Sequence, residues 1–585
     1  MRYRVQLEEP TGHEIAVSMV IPALPDREEV TIGMPAWAPG SYLVRDFVRH
    51  VYDLEVTDAR GRPLPISRAD KQHWRIVTGG RAATVRYRVF AFEETVRTSY
   101  FDDRHAYWNG TSLFFYLEGD LARPHEVEVH CPRGWRVSTA LPQVPGRTNV
   151  FRAPDYDVLV DSPFEVGTHD LHTFRVEGTR FEVALFGRTN ADVPRVLADL
   201  KRIVTATGRL FGGFPFDRYL FIVHALTARG GGLEHAQSCT LSIAGLAFEE
   251  EKAYQRFNEL AAHEFFHAWN VKRIHDRLLG PFDYSRETHT RLLWFHEGFT
   301  EYMESIVLLR AGLLTPQTYL GDLAEDWGRY ETRPGRDVTP LSELSFEAWI
   351  KLYKPADNHH NRTVSYYEKG KWAALVLEIL LRQGTKGRHG VETLFQRLWR
   401  KFGRKGLGLD EADIEAEVSA LGGRAVGGYF RRFVHGREPL PVLALLRRAG
   451  ITVRLESPSR AEKGDAIKAA RLRGWAGITW VTPGPPGDRA VVRTVVPGSP
   501  AWKAGLTYGD EVVAVGGARV LGSTVTRRLL DRPPGHTLEV HVFRRELLRI
   551  TRLTLGRNPE RRLRLEPAPH PGKQAVAIRR GWLRI

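Results

Sequence analysis

The sequence predicts a multidomain α+β protein with an N-terminal antiparallel β domain, a mostly α-helical middle domain and a smaller C-terminal β domain. Its 585 residues suffice for about three to five domains of roughly 150 residues each. β-branched and aromatic runs fill the first part, long helical periods fill the middle, and β patterns return near the end. We therefore expect domains at residues 1–165, 166–455 and 456–556, followed by a basic tail at 557–585.

The first region has the pattern of an antiparallel β domain. Runs at 14–21 and 83–90 mix β-branched and aromatic residues, and turn signals at 58–61 and 79–80 separate such runs. No long helical period occurs in this region, so a sandwich or saddle of strands is predicted.

The middle region has helical periods. Asp192 and Pro194 are suited to the N-cap and first turn of one helix, and a strand at 219–223 then leads into a glycine-rich loop at 230–235. Further helices are predicted at about 250–275, 288–311, 369–383 and 410–434.

Composition excludes several classes of protein. The chain is 42% hydrophobic and 26% charged, as globular proteins are, and no stretch reaches about 18 consecutive apolar residues. The first residues lack the apolar core of a signal peptide, and two cysteines cannot form a disulfide framework. We therefore expect a cytoplasmic protein with no membrane partner.

The net charge of +15 comes mainly from the C-terminal end of the chain. Residues 541–585 hold 12 Lys and Arg against 3 Glu, without the interleaved aromatic residues of a nucleic-acid stacking surface. We predict a solvated basic tail and no nucleic-acid partner.

The pentapeptide His-Glu-Phe-Phe-His at 263–267 lies within the predicted 250–275 helix. Residues four apart share a helix face, so His263 and His267 can both reach one metal ion. Glu264 follows the first histidine and can hold a water molecule instead of binding the metal. The pattern predicts a catalytic zinc site, which usually has three protein ligands.

Spacing alone leaves the third ligand open. Glu297 lies 30 residues after His267, far enough for a loop and a return helix, and His289 and His296 are alternatives. His296 and Glu297 point about 100° apart around a helix, so only one of them can face the metal. Glu301, one turn after Glu297, is placed to hydrogen-bond a ligating histidine.

Residues 263–270 together with 295–302 resemble the gluzincin metallopeptidases, in which the Glu of an E-G-F motif is the third zinc ligand. The longer segment 263–274, with 281–284, is similar to the M61 family of glycyl aminopeptidase-like enzymes. Residues 35–47, 231–235 and the C-terminal β region agree with that family. This resemblance, which covers residues 1 to about 556, implies a thermolysin-like catalytic domain and one Zn²⁺ per chain held by His263, His267 and Glu297.

The resemblance also implies a site for the substrate amine. The related M1 aminopeptidases bind this amine with the Glu of a G-x-M-E-N loop. Gly231, Gly232 and Glu234 occupy the corresponding positions here, with Leu233 for Met and His235 for Asn. A carboxylate selects a free α-amine because the amine is largely charged at neutral pH. We further expect the strand before this loop to pair with the extended substrate backbone.

The M1 resemblance implies catalytic roles for two further side chains. In the M1 enzymes, a Tyr directly before Glu-Lys-Gly donates a hydrogen bond to the tetrahedral oxyanion. Tyr367 has this position, and the adjacent Tyr366 is the alternative. Glu264 is expected to act as general base, taking a proton from water and passing it to the leaving amine.

The C-terminal β region resembles a PDZ domain over residues 497–516. Gly477, Ile478 and Thr479 correspond to its carboxylate-binding loop and the start of its second strand. Backbone N–H groups there are suited to a peptide C-terminus, which would add a strand. A domain with a closed groove, packed on the enzyme, is the alternative.

Together with these residues, the resemblance to the M61 family implies a zinc-dependent aminopeptidase that removes small N-terminal residues, Gly or Ala, from peptides with a free N-terminus. An endopeptidase on the same zinc site, with Glu234 in a structural role, is the alternative. A third hypothesis is a PDZ-centred adaptor with an inactive protease domain. The intact set of His263, Glu264 and His267 counts against this adaptor.

Overall fold

A computed structural model of the chain describes residues 1–227, 230–456, 473–481, 488–559 and 562–585. The chain forms two compact units. The first comprises Met1–Leu314 and Glu392–Glu417, and the second comprises Thr315–Val391 and Val418–Ile585. No helix within these described ranges is long and apolar enough to cross a membrane.

The N-terminal part of the first unit is the β domain that the sequence predicts. Its elements are β1 Arg2–Gln6, β2 Glu14–Ile21, β3 Glu29–Gly33, β4 Val51–Asp58, β5 Ile66–Arg68, β6 His73–Val77, β7 Ala83–Phe90, β8 Ser99–Phe101, β9 His105–Trp108, β10 Tyr116–Leu117, β11 His125–His130, β12 Arg136–Thr139, β13 Val150–Ala153, α1 Tyr156–Val160 and β14 Phe164–Gly167. They form sheets of order β13-β11-β1-β2-β7-β4, β10-β3-β6-β5 and β12-β14-β9-β8. The pairing of β1 with β11 is parallel, and the predicted antiparallel pairing holds for neighbours such as β2 and β7.

The alternation of side chains along the strands positions the core of this domain. Ile15, Val17, Met19 and Ile21 of β2 are buried, whereas the residues between them are half-buried. Successive side chains of a strand point to opposite faces of the sheet, so this pattern defines one buried face.

The rest of the first unit is a mixed sheet covered by helices. Its elements are β15 Asp170–Val176, β16 Thr179–Gly187, α2 Val193–Phe211, β17 Arg218–Leu226, β18 Gly231–Glu234, β19 Ser238–Ala244, α3 Glu251–Phe266 and α4 Phe299–Ala311, with most of α10 Val391–Lys401 and the start of α11 Glu411–Gly422. The sheet order is β15-β16-β17-β19-β18. Strand β17, which precedes the glycine-rich loop, therefore has neighbours on both sides, and the prediction that it pairs with substrate is wrong. The edge of the sheet belongs to β18.

The helix that carries the two zinc-motif histidines is shorter than predicted. α3 ends at Phe266 and His267 is its C-cap, so the predicted extension to residue 275 is wrong. The chain turns here because the Asn270 amide donates hydrogen bonds to the backbone oxygens of Phe295 and His296. The predicted helix at 288–311 begins with a π-helical turn, Trp294–Gly298, which continues into α4.

The second unit contains helices and the C-terminal β sheet. Its helices are α5 Pro316–Glu331, α6 Leu341–Phe346, α7 Ala348–Lys351, α8 His359–Arg362, α9 Tyr366–Gly384, α12 Val442–Arg448, α13 Pro500–Lys503, α14 Gly522–Leu530 and α15 Lys573–Leu583. Its strands are β20 Ile451–Glu456, β21 Ile478–Val481, β22 Ala490–Val495, β23 Glu511–Val515, β24 Ala518–Arg519, β25 Thr537–Arg544, β26 Leu547–Thr554 and β27 Arg562–Pro567. The predicted helix at 410–434 is interrupted, since α11 ends at Gly422.

The C-terminal segment is not the solvated basic tail that the charge predicts. Strand β27 pairs along its whole length with β20, and α15 buries Ile578, Trp582 and Leu583. The Trp582 ring meets the Tyr319 ring edge-on, with 5.9 Å between the ring centroids. Leu563 and Leu565 alternate with arginines along β27, so the sequence does contain the signal for this strand. In the sequence, the predicted PDZ region therefore falls between β20 and β27, two strands that pair with each other.

Candidate metal centre and substrate site

Three side chains of the first unit converge as the ligands of a metal site must. Nε2 of His263 lies 3.5 Å from Oε2 of Glu297, and Nε2 of His267 lies 3.2 Å from the same oxygen. Ligands on a tetrahedral zinc ion with bonds near 2.0–2.1 Å are separated by about 3.3 Å. The donor types and the separations both fit a zinc ion bound by two histidines and one glutamate.

The third donor is Glu297 rather than His296 or His289. The π-helical turn directs the Glu297 carboxylate towards α3, and such turns are frequent at functional sites. Nδ1 of His296 instead lies 3.1 Å from Oδ1 of Asn270, and burial lowers the pKa of His296 to about 3. Neither alternative histidine belongs to the groups of converging donors that the described residues form.

Both histidine ligands are oriented from outside the centre. Nδ1 of His263 lies 2.8 Å from Oε2 of Glu304, and Nδ1 of His267 donates a hydrogen bond of 2.6 Å to the backbone oxygen of Asn270. Such bonds fix the ring and leave Nε2 for the metal. The sequence analysis missed Glu304, although its position seven residues after Glu297 places both near one helix face. The corresponding role of Glu301 stays a prediction.

The charge state of Glu297 suits a metal ligand. Burial by itself raises the pKa of this carboxyl, but the facing His267 and His263 hold it below its usual range. The carboxylate is therefore ionised at neutral pH, as metal binding requires.

Glu264 lies beside this centre without being one of its three converging donors. It is buried, and its Oε2 has no hydrogen-bond partner among the described residues. Burial raises the pKa of Glu264, and the neighbouring carboxylates of Glu234 and Glu297 act in the same direction. A carboxyl group with a raised pKa and an open oxygen is suited to general-base catalysis. A Cβ atom at Gly232 would collide with this carboxylate, so glycine lets the strand β18 approach it.

Glu234 lies at the end of the edge strand β18, close to the base. One oxygen from Glu234, one from Glu264 and one nitrogen from His267 lie within 4.8 Å of one another. Glu234 is buried, and its Oε1 has no hydrogen-bond partner among the described residues. Both predicted glycines are needed here. Gly231 has a φ of +88°, which favours glycine, and a side chain at Gly232 would collide with Glu264.

The N-terminal β domain completes the surroundings of Glu234. A Cβ atom at Gly40 would collide with the Glu234 carboxylate, and Nη2 of Arg97 donates a 3.1 Å hydrogen bond to the backbone oxygen of Gly232. A cavity of only about 20 Å³ lies beside Glu234. It is lined by Trp37, Pro39, Gly40, Tyr42, Glu234, Val271, Lys272, Leu279 and Phe282.

Two of the segments that carry the M61 resemblance meet at this cavity. Nε1 of Trp37 donates to the backbone oxygen of Asp283 at 2.9 Å, and the backbone N–H of Ala36 donates to the oxygen of Tyr284 at 2.8 Å. Segments 35–47 and 281–284 thus contact each other and together line one side of the cavity beside Glu234.

His235, which replaces the Asn of the M1 motif, has a structural partner. Its Nδ1 lies 3.0 Å from Oδ1 of Asp161, which also accepts a 2.8 Å hydrogen bond from Nζ of Lys272. Burial by itself raises the pKa of Asp161, but Lys272 and His235 hold it well below its usual range. The ionised Asp161 therefore anchors the loop after Glu234. Sequence analysis missed Asp161, which lies 74 residues before His235 without a local signal.

Tyr367 belongs to the second unit, at the start of α9. Its backbone N–H donates to Oγ of Ser365, the N-cap of the helix, at 3.1 Å. The Tyr366 and Tyr367 rings stack with centroids 4.8 Å apart, but Tyr366 is buried whereas Tyr367 is half-buried. Only Tyr367 retains an accessible surface for a ligand, and its oxyanion role stays a prediction.

The predicted carboxylate loop of the PDZ region lies at a sheet edge. Gly477 has a φ of +69°, and Ile478 and Thr479 begin β21, the terminal strand of the order β21-β22-β23-β25-β26. Nε1 of Trp480 donates to Oγ1 of Thr526 on α14 at 3.1 Å, which ties the strand to the helix. Binding of a peptide C-terminus here stays a prediction.

Comparison with known proteins agrees with this geometry. Residues 2–168 match the family model of the peptidase M61 N-terminal domain, residues 256–373 match M61 glycyl aminopeptidase, and residues 491–544 match a PDZ domain. These matches confirm the predicted resemblance to the M61 metallopeptidases with a C-terminal PDZ domain.

One solved structure shares the whole fold, and others are similar over part of the chain. A crystal structure described as an aminopeptidase N family protein from Idiomarina loihiensis is 29% identical, with a TM-score of 0.90 over 99% of each chain. An M1 zinc metallopeptidase from Deinococcus radiodurans is 14% identical, with a TM-score of 0.47 over 75% of this chain and 94% of that one. Yeast LTA4 hydrolase with bestatin is 13% identical, with a TM-score of 0.45 over 77% of this chain and 70% of that one. No curated protein sequence matches this chain.

Proposed function

We propose that this protein is a zinc-dependent aminopeptidase that removes Gly or Ala from the N-terminus of peptides. The observation that carries the proposal is the short distance between Glu234 and the catalytic centre. Donor atoms of Glu234, Glu264 and His267 lie within 4.8 Å of one another. A substrate amine held by Glu234 leaves space for about one residue before the scissile bond, so internal cleavage is disfavoured.

One zinc ion fits the centre formed by His263, His267 and Glu297. The donor set is the His₂Glu set of catalytic zinc sites, and the outer partners Glu304 and Asn270 prepare the rings for it. A zinc ion in this position supplies Lewis-acid activation of water and of the substrate carbonyl.

Three side chains of the protein bind the substrate, move the proton and stabilise the oxyanion. Glu234, with an oxygen that lacks a partner among the described residues, binds the substrate ammonium group and sets the register of the peptide. Glu264 takes the proton of the attacking water through its open Oε2 and transfers it to the leaving amine. The Tyr367 hydroxyl donates a hydrogen bond to the developing oxyanion, a role that rests on the M1 resemblance.

The cavity beside Glu234 supports a preference for small residues. A volume of about 20 Å³ holds roughly one water molecule or a methyl group, and aromatic rings of Trp37, Tyr42 and Phe282 line it. A small side chain fits this space without movement of these rings. We therefore infer that Gly and Ala are accepted and that Leu is cleaved more slowly.

Hydrolysis of Gly-, Ala- and Leu-anilides, together with N-acetylated Gly and Ala peptides, tests the proposal. We expect the free peptides to be cleaved and their acetylated forms to be left intact, because acetylation removes the charge that Glu234 pairs with. Glu234→Ala should raise KM and lower kcat together, since a loosely held amine also misplaces the scissile bond. Glu234→Gln, which keeps the shape but not the charge, should fall between the wild type and Ala.

The same assay separates the alternatives. Efficient internal cleavage of an N-acetylated peptide by the wild-type enzyme would favour the endopeptidase and leave the zinc centre unchallenged. A purified chain without zinc and without hydrolytic activity would favour the adaptor, with the PDZ region binding a peptide C-terminus.

A further inference from the structure

A second cluster of metal-binding side chains lies where two sheets of the first unit meet, apart from the residues used in the proposed reaction. His105 is in β9 and Glu165 is in β14, both in the sheet of order β12-β14-β9-β8, whereas His224 is in β17 of the catalytic sheet. All three residues are at most 1% exposed. Their donor atoms lie within 4.8 Å of one another. Neither Glu234 nor the histidines of the zinc motif contribute to this cluster.

The Glu165 carboxylate is surrounded by imidazole nitrogens. Its Oε1 lies 3.1 Å from Nδ1 of His105 and 3.8 Å from Nδ1 of His169, and its Oε2 lies 2.8 Å from Nε2 of His224. His169 is buried, and its Nδ1 has no hydrogen-bond partner within the described part of the chain. Glu165 is within hydrogen-bond distance of one nitrogen of His105 and one of His224, but Nε2 of His105 and Nδ1 of His169 have no hydrogen-bond partner among the described residues. The donors of His105, Glu165 and His224 converge, and a cation among them would lie beside Nδ1 of His169, which is 3.8 Å from Oε1 of Glu165.

The outer contacts of these histidines parallel those of the HExxH centre. Nε2 of His105 lies 3.4 Å from Oε1 of Glu94, and Nε2 of His169 lies 2.8 Å from Oγ of Ser138. In these two rings, Nε2 faces an oxygen away from Glu165, which leaves Nδ1 available for a metal, whereas His224 directs Nε2 towards Glu165. Metal-ligating histidines characteristically have such a second partner.

We propose that His105, His169, His224 and Glu165 bind a second, structural zinc ion. Four protein ligands leave no position for a catalytic water, which distinguishes structural from catalytic zinc sites. The surroundings also exclude solvent, since the Phe186 ring stacks on His105 at 3.6 Å and the Tyr107 ring lies 4.8 Å from that of His224. The ion joins β9 and β14 of the N-terminal β domain to β17 of the catalytic sheet.

Zinc content of the full chain, measured by mass spectrometry after dialysis against metal-free buffer, tests this site. We expect about two zinc ions per wild-type chain. The double variant His263→Ala/His267→Ala, which removes the HExxH ligands, should retain one. The matched variant His105→Gln/His224→Gln should also retain one. One zinc per wild-type chain and none in His263→Ala/His267→Ala would overturn the proposal and leave a metal-free hydrogen-bonded cluster. A second zinc that persists in His105→Gln/His224→Gln would overturn it as well.

Crystals of the wild-type protein decide the question even if the His105→Gln/His224→Gln variant does not fold. Diffraction data collected on both sides of the zinc absorption edge should give an anomalous peak between His105, Glu165 and His224, in addition to the peak at Glu297. A peak at Glu297 alone overturns the proposal.

Discussion

The HExxH centre and the His105 cluster are both built from two or three histidines around one glutamate, but the chain assembles them differently. In the first, two histidines four residues apart project from one helix turn, and one oxygen of Glu297 faces both of them. In the second, each ligand comes from a different strand or turn, and His105 and His224 contact different oxygens of Glu165. A local motif reveals the first site, whereas only the packing of two sheets reveals the second.

The two clusters also differ in what lies beside them. Glu264 and Glu234 lie beside the HExxH centre, each with one buried oxygen that has no hydrogen-bond partner among the described residues, and a small cavity adjoins Glu234. Aromatic rings cover the His105 cluster instead. Carboxyl groups with open oxygens adjoin one donor set, whereas the unpaired group beside the other is His169, which we propose as a ligand. This difference separates a reactive centre from a structural one.

Glu264→Gln should have the largest effect on activity. The amide cannot accept the proton of the attacking water, so kcat should fall by about 10²–10⁴ while zinc content stays at the wild-type value. Steady-state kinetics with a Gly-anilide and metal analysis of the same preparation measure both quantities. His263→Ala is the control that should lose the metal of this centre. Full activity of Glu264→Gln would mean that Glu264 is not the general base and that the open carboxyl group beside the HExxH centre does not distinguish it from the His105 cluster.

Tyr367→Phe should have the next largest effect. Tyr367, like the His105 cluster, is distant in sequence from the zinc motif. The Tyr367→Phe variant therefore tests whether a residue outside that motif contributes to catalysis. Loss of the hydroxyl should lower kcat by about 10²–10³ with little change in KM, because the charge it stabilises appears only in the transition state. Tyr366→Phe is the matched control, and a loss confined to that variant would move the role to the buried ring.

Gly232→Ala should lower activity through Glu264 without removing zinc. The added Cβ meets the Glu264 carboxylate, and displacing a catalytic group by about 1 Å can reduce the rate by about 10². The control is Gly321→Ala in α5, where a Cβ meets no atom within 4 Å and activity should be unchanged. A fully active Gly232→Ala enzyme would contradict the close approach of β18 to the base.

Glu304→Gln and Glu94→Gln form the pair with the smallest expected effect. Loss of an outer partner typically weakens zinc binding by about 10–100-fold. Competition with a zinc chelator should therefore show one weakened zinc per chain in each variant. Glu304→Gln should affect the zinc needed for activity, and Glu94→Gln the other. Identical chelator titrations for Glu94→Gln and wild type would indicate that Glu94 does not support a metal ligand.

Some predictions failed because they depended on distant partners. The sequence predicts α3 to residue 275, but Asn270 binds the backbone of the returning chain and the helix ends at Phe266. It also predicts a solvated tail from the charge of residues 541–585. The alternate leucines of β27 and the apolar face of α15 find partners in β20 and α9 instead.

The sequence by itself determined the zinc motif and the general order of β and helical regions. His263, Glu264 and His267 are readable because a helix repeats every 3.6 residues, so the spacing of the motif already specifies a shared face. The M61 resemblance then supplied Glu297, Glu234 and Tyr367.

Only the tertiary structure decided which distant groups meet. Glu304, Asp161 and the His105 cluster have no periodic signal, because their partners are distant in the sequence. The separation is 41 residues for Glu304 and His263, and 111 residues for Asp161 and Lys272. Close packing brings such groups together across strands and turns, and burial then requires each polar group to have a partner. A sequence pattern reports the contacts within one helix or strand, whereas these contacts exist only after the sheets have packed.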